Sequence, residues 1–373
     1  MAELSETVLQ LGAGRFLRAF CDRFIHQANA SSRPVGKIVV VQSTAGSRAD
    51  SLASRPEGYS VLVRGFQNGE PVERIDLVAS ISRALVAGTQ WSEVQRLVQT
   101  DALKFVISNA TEAGYKLADG DAPSDAPPSS LPGKLAQLLH LRYAKDLAPL
   151  VMLPCELIES NGAKLRDLVV EQARRWSLGE AFIDYVTNKT QWVNSLVDCI
   201  VTSPEPTNPH LTTDPNLVCA EPYQLWAQQP LDPSMPQPID HPAIRWVSDL
   251  SPFYLRKVRI LNGLHTAMVA KFFGTGPVTV ADVLADLEKA KWLRALLFEE
   301  IVPTIAYRVS DVAEFADQTW DRFRNVHLNH QLKDIALNHA AKLQVRLAPT
   351  ADEYQRLFGC RPAKLDEALA RTL

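Results

Sequence analysis

Cysteine is sparse: five (21, 155, 199, 219, 360) in 373 residues, an odd number with no CxxC pair. Neither a zinc site nor a disulfide frame is indicated, so no metal is expected and the thiols read as reduced, which suits the cytoplasm. No apolar run approaches the ~20 residues that span a bilayer. The opening MAELSETVLQLGAG lacks the basic start of a secretory signal. The net charge of −3 is not gathered into a basic stripe, which argues against nucleic acid as a partner. A small molecule is the expected partner, and an oligomer is compatible with the composition. With 46% hydrophobic and 22% charged residues, the chain is of the globular kind and long enough for two domains.

A third glycine is also missing where it would be most diagnostic. Val8–Leu11 reads as a strand running into Gly12-Ala-Gly14; a helix follows over 15–25 with Phe16, Phe20 and Phe24 at four-residue steps, then a buried strand at 37–41. Strand, glycine turn, helix and strand form a dinucleotide-binding βαβ pattern, although Leu17 stands where a strict GxGxxG has its last glycine. Gly12 suits the tight turn and Gly14 the approach of backbone to a pyrophosphate. No acid ends the second strand. Gln42 and Ser43 are the candidates for ribose hydroxyls there, and Arg48 for a 2′-phosphate. NAD is the expected cofactor and NADP stays open.

Alternating strands at 59–66 and 72–80 flank Asn68-Gly69, a hairpin signal. A helix at 89–100, a strand at 104–109, helices at 133–147 and 161–177 and a strand at 149–154 continue the α/β alternation. Ten of the 24 prolines fall between 203 and 242, which predicts an irregular segment. Beyond it the periodicity is helical, over 252–273, 278–288, 290–306, 310–323 and 328–345. The expected fold class is therefore α/β, with a Rossmann-like dinucleotide-binding domain over 1–243, including the proline-rich segment, and a mainly α-helical domain over 244–373.

The first helix of that second domain carries Lys257, Asn262 and His265 in YLRKVRILNGLHTAMVA. At about 100° per residue, Lys257 and His265 lie about 80° apart, with Asn262 about 60° beyond His265. The trio borders an apolar stripe of Leu261, Leu264 and Met268. An amine held there loses hydration and moves toward a range where it exchanges protons, as alcohol–ketone chemistry requires. An ordinary amphipathic helix with a solvated lysine and a core histidine fits the spacing as well.

Together with LGAGRFLRAF (11–20), ISNATEAGY (107–115), ELIESNGAKLRDLV (156–169) and VNSLVD (193–198), the run RKVRILNGLHTAMV (256–269) resembles the polyol-specific long-chain dehydrogenase/reductase family, to which mannitol dehydrogenase belongs. The resemblance covers about residues 8–347. It implies metal-independent hydride transfer between a nicotinamide and a secondary alcohol carbon, here reduction of a keto sugar acid. Lys257 would be the general acid–base, Asn262 and Asn194 donors to the carbonyl oxygen, and His265 a partner of a substrate hydroxyl. Gly12, Gly14, Arg15, Phe16, Arg18, Gln42, Ser43, Asn109, Thr111 and Glu112 would line the cofactor site. Arg322 and His330 would meet the substrate's carboxylate and hydroxyls. Cys199 departs from the arginine usual in this family after Asp198.

A short-chain dehydrogenase needs Tyr-x-x-x-Lys, whereas Tyr254 precedes Lys257 by three residues. Polyol 2-dehydrogenases and other sugar-acid reductases of the same family remain competitors. So does a catalytically inactive nucleotide-binding sensor or assembly protein.

Overall fold

Five consecutive buried residues in Glu6–Leu11 (β1), and again in Lys37–Gln42 (β2), are what a strand covered on both faces requires. The computed structural model describes residues 4–44, 46–110 and 114–371. The remaining strands are Tyr59–Gln67 (β3), Glu70–Val78 (β4), Ile81–Val86 (β5), Phe105–Ser108 (β6), Val151–Pro154 (β7), Gln191–Asp198 (β8), Val201–Thr202 (β9), Val218–Ala220 (β10), Leu225–Pro230 (β11) and Ile244–Trp246 (β12).

An eight-stranded sheet runs β12-β11-β8-β7-β6-β1-β2-β5. From β5 to β8 every pairing is parallel; β11 then joins β8 antiparallel. The order reverses between β1 and β6, and ligands of doubly wound sheets gather at the carboxyl ends of strands at such a point. A second sheet has the order β4-β3-β10-β9. Its hairpin turns at Asn68 and Gly69, both with positive φ, as a two-residue turn needs. The Rossmann-like domain and the helical second domain are thus both present.

By internal packing the chain divides into one unit of residues 1–62, 75–220 and 224–250, and another of 63–74, 221–223 and 251–373. The second unit is built on buried helix residues, among them Ile260, Leu264, Met268, Leu297 and Phe315, each at most 1% exposed. Burial of each such side chain stabilises by about 1.5–3 kcal/mol. Among the described residues, no helix is long and apolar enough to cross a membrane.

Four expectations need correction. The helix expected over 328–345 is broken into Leu332–Ala336 and His339–Lys342, with Asn338 at φ +56° between them. The segment 203–242 is not irregular throughout, because β10 and β11 lie in it and Trp226 is fully buried. Residues 223–229 hold no proline, enough room for a six-residue strand that ends on Pro230. The helix expected over 15–25 is two, Arg15–Ala19 and Cys21–Ala28, broken at Phe20 (φ −119°, ψ −86°). The helix carrying Lys257 is α-helical over Ser251–Arg256 and Gly263–Phe272, but π-helical over Lys257–Asn262. Hydrogen bonding to i+5 holds about one more residue per turn, so the even 100° wheel fails at the trio.

Candidate active site

Gly12 has φ +133°, a conformation only glycine adopts without strain, and a Cβ there would meet Leu17 Cδ1 at 3.3 Å. Gln10 fixes the turn from within the sheet, donating to the Gly12 carbonyl at 3.1 Å. A Cβ on Gly14, by contrast, would have nothing within 4 Å. It would project into a cavity of about 790 Å³ lined by Gly14, Arg15, Arg18, Gln42, Ser47 and Arg48, among others. The exposed Arg15 and Arg48 and a bare glycine backbone suit a pyrophosphate, so these residues fit the dinucleotide that the fold implies.

The predicted cofactor residues divide by what already occupies them. Arg15 is exposed and Phe16 stacks on Phe20 at 4.9 Å. Arg18 is 1% exposed, donates to the Asn216 carbonyl and lies over the Tyr59 ring; burial lowers it to about 10. Gln42 is buried and closes the following loop, with Nε2 donating to the carbonyls of Thr44 and Gly46 and Oε1 accepting from Ala49 N. Ser43 is exposed beside it.

Asn109 follows β6, next to the glycine turn, and its Nδ2 donates to the Cys155 carbonyl at 2.8 Å. Its backbone carbonyl would stand 3.6 Å from a Cβ on Gly12. Thr111 and Glu112 lie outside the described residues.

Glu156 was not foreseen as a site residue. Its Oε1 accepts from Ala110 N at 2.9 Å and its Oε2 from the Tyr115 hydroxyl at 3.2 Å; burial raises its pKa. It therefore joins Ala110 and Tyr115 through one carboxylate. The only signal in the sequence was its place at the head of ELIESNG. Asn194, on β8, accepts at Oδ1 from Ala163 N at 3.0 Å, which leaves its amide group as the donor.

In the second unit, Lys257 and Asn262 are half-buried at the two ends of the π-helical stretch. The Asn262 side chain makes no hydrogen bond among the described residues, while its carbonyl accepts from Thr266 Oγ1 at 2.8 Å. His265 is 6% exposed, packed on Phe323 at 4.2 Å and met edge-on by His330 at 4.7 Å. Its pKa lies well below the usual value, first through burial and then through His330, Arg322 and Arg346. The ring is therefore neutral. Its Nε2 is buried without a partner among the described residues. His330 is lowered by burial as well.

The structure thus brings His265, His330 and Arg322 together. Arg322, however, is closed off: Nε and Nη2 grip the Glu221 carboxylate at 3.0 and 2.8 Å, and its guanidinium lies 4.4 Å over the Tyr223 ring. Arg346, overlooked in the sequence, is half-buried and donates to Thr266 Oγ1 at 3.3 Å. Among the described residues, no cluster of three His, Cys, Asp or Glu side chains could hold a metal ion.

Residues 6–235 match the mannitol dehydrogenase Rossmann domain and residues 249–372 the mannitol dehydrogenase C-terminal domain. The altronate oxidoreductase of Bacillus subtilis (strain 168) is 34% identical over 96% of this chain and 77% of its own length. That of Shigella flexneri is 35% identical over 99% of this chain and 79% of its own. Among solved structures, the substrate-free D-sorbitol dehydrogenase has a TM-score of 0.80 at 20% identity, covering 93% of this chain and 75% of that one. The Pseudomonas fluorescens mannitol 2-dehydrogenase complex with NAD and D-mannitol has 0.76 at 19%, covering 99% and 78%. These two likenesses speak to fold alone. With matched domains over most of its length and relatives above 30% identity, the chain belongs to the mannitol dehydrogenase family.

Proposed function

We propose that this chain reduces the keto group of a sugar acid, tagaturonate to altronate, and runs the reverse oxidation, with Lys257 as general acid–base. Membership of the family makes it an oxidoreductase acting on CH–OH groups with NAD. The full-length likeness to altronate oxidoreductases supports the substrate. The observation that carries the reading is the unsatisfied ring nitrogen of His265, buried three residues beyond the uncommitted Asn262 amide. A buried polar group without a partner costs about 1–3 kcal/mol. Such a cost is characteristic of a site that waits for a ligand.

The roles follow from the groups. NADH, when bound beside Gly12, Gly14, Arg15 and Arg48, supplies the hydride for the carbonyl carbon. Lys257 gives a proton to the carbonyl oxygen in reduction and takes it back in oxidation. Asn262 and Asn194 donate hydrogen bonds to that oxygen as its charge grows. His265, kept neutral by burial, accepts a hydrogen bond from a substrate hydroxyl at Nε2, and His330 meets a further hydroxyl.

The test follows NADH and NADPH oxidation with tagaturonate, fructuronate and fructose in separate assays. Tagaturonate should give the highest kcat/KM. Preference for fructuronate or fructose would move the chain to another activity of its family. Nucleotide binding without turnover of any of the three would favour a sensor.

A further inference from the structure

Two guanidiniums influence His265, and only one of them has a carboxylate. The Arg322 fork is filled by Glu221. Arg346 comes from the π-helical turn Leu343–Leu347, and its Nη1 contact with Thr266 Oγ1 is its only side-chain hydrogen bond among the described residues. A guanidinium has five N–H donors in a rigid fork, so most of this one's capacity is open. No carboxylate among the described residues forms an ion pair with it.

Its surroundings are cationic. Lys342 is lowered by burial and then by Arg346, and His265 counts Arg346 among its causes. Burial alone lowers Arg346 itself, with no anion to offset it. Thr266 Oγ1 joins Arg346 to the Asn262 carbonyl, so the guanidinium sits one hydroxyl away from the backbone of the Lys257–Asn262–His265 helix.

We propose that Arg346 is the anchor for the substrate's carboxylate, held through two parallel N–H···O bonds, and that Arg322 instead positions the wall against which His265 and His330 pack. The assignment rests on the sugar-acid reading above and makes it specific. A half-buried arginine without a counter-ion is matched to an anion brought in by the ligand. A neutral ketose or hexitol leaves the fork unfilled, so Arg346 sets the preference for acids over polyols.

The test is calorimetric titration of the NADH complex with altronate and with altritol, the hexitol in which a CH2OH replaces the carboxylate. Neither alcohol reacts with reduced cofactor. Wild type should prefer altronate. Arg346→Gln should weaken altronate roughly 10- to 100-fold and bring the altronate/altritol ratio toward one, with Arg346→Lys recovering part of it. Equal weakening of both ligands by Arg346→Gln would assign Arg346 a purely structural part and overturn the proposal. A wild-type preference for altronate that survives in Arg346→Gln would place the carboxylate elsewhere and leave the sugar-acid reading intact. Failure of wild type to bind either compound would remove that reading and the anchor with it.

Discussion

Arg322 and Glu221, 101 positions apart, form a two-point ion pair whose side chains are 2% and 0% exposed. A buried pair of this kind gives little net stability over an apolar pair, but breaking it strands a charge. Arg322→Ala should therefore lower the stability of the helical unit by about 3–5 kcal/mol, read from denaturant unfolding. A loss below about 1 kcal/mol would mean that Glu221 finds water or a proton instead.

His265 ties stability to acidity. Its folded pKa lies well below the ordinary value, so as pH falls past about 6.5 the unfolded chain takes up a proton that the folded ring refuses. Stability must then fall with pH, by at most about 2 kcal/mol from this group between pH 7.5 and 5.0. Urea midpoints for wild type and His265→Asn at those two pH values check this. The variant should lose less stability on acidification, and identical losses would refute a buried neutral ring.

Gly14 has an ordinary φ and open space at its missing Cβ. Gly14→Ala should fold with a nearly unchanged melting temperature while binding NADH roughly tenfold more weakly or worse. Fluorescence titration measures the affinity. Unchanged binding would move the pyrophosphate away from this turn.

The cavity beside Gly14 is lined by Arg15, Arg18 and Arg48 and, among the described residues, by no carboxylate. It has nothing to repel a 2′-phosphate. Measurable binding of 2′,5′-ADP is expected, weakened in Arg48→Glu at least tenfold more than binding of 5′-ADP. Competition against NADH reads both ligands. Equal weakening would separate Arg48 from the ribose end.

The βαβ start of the fold was legible because solid apolar strands and a glycine turn are local signals. Asn68-Gly69 was legible for the same reason, since few other pairs take two positive φ values in succession. The strand Leu225–Pro230 was hidden by its proline-rich flanks, and only its pairing with β8 reveals it. The π-helical turn at Lys257–Asn262 leaves no mark in residue periodicity, so the trio's residues could be picked out but not their angles. Arg322 and Arg346 look alike in the sequence. Their difference lies in Glu221, which only the folded chain brings to one and not to the other.

The amine of Lys257 carries the account. Turnover of tagaturonate by Lys257→Ala, followed through NADH oxidation with nucleotide affinity measured in parallel, tests it most directly. The expected result is a fall in kcat of at least about 100-fold with NADH affinity within about twofold of wild type. A Lys257→Ala enzyme that still turns over at near the wild-type rate would contradict it.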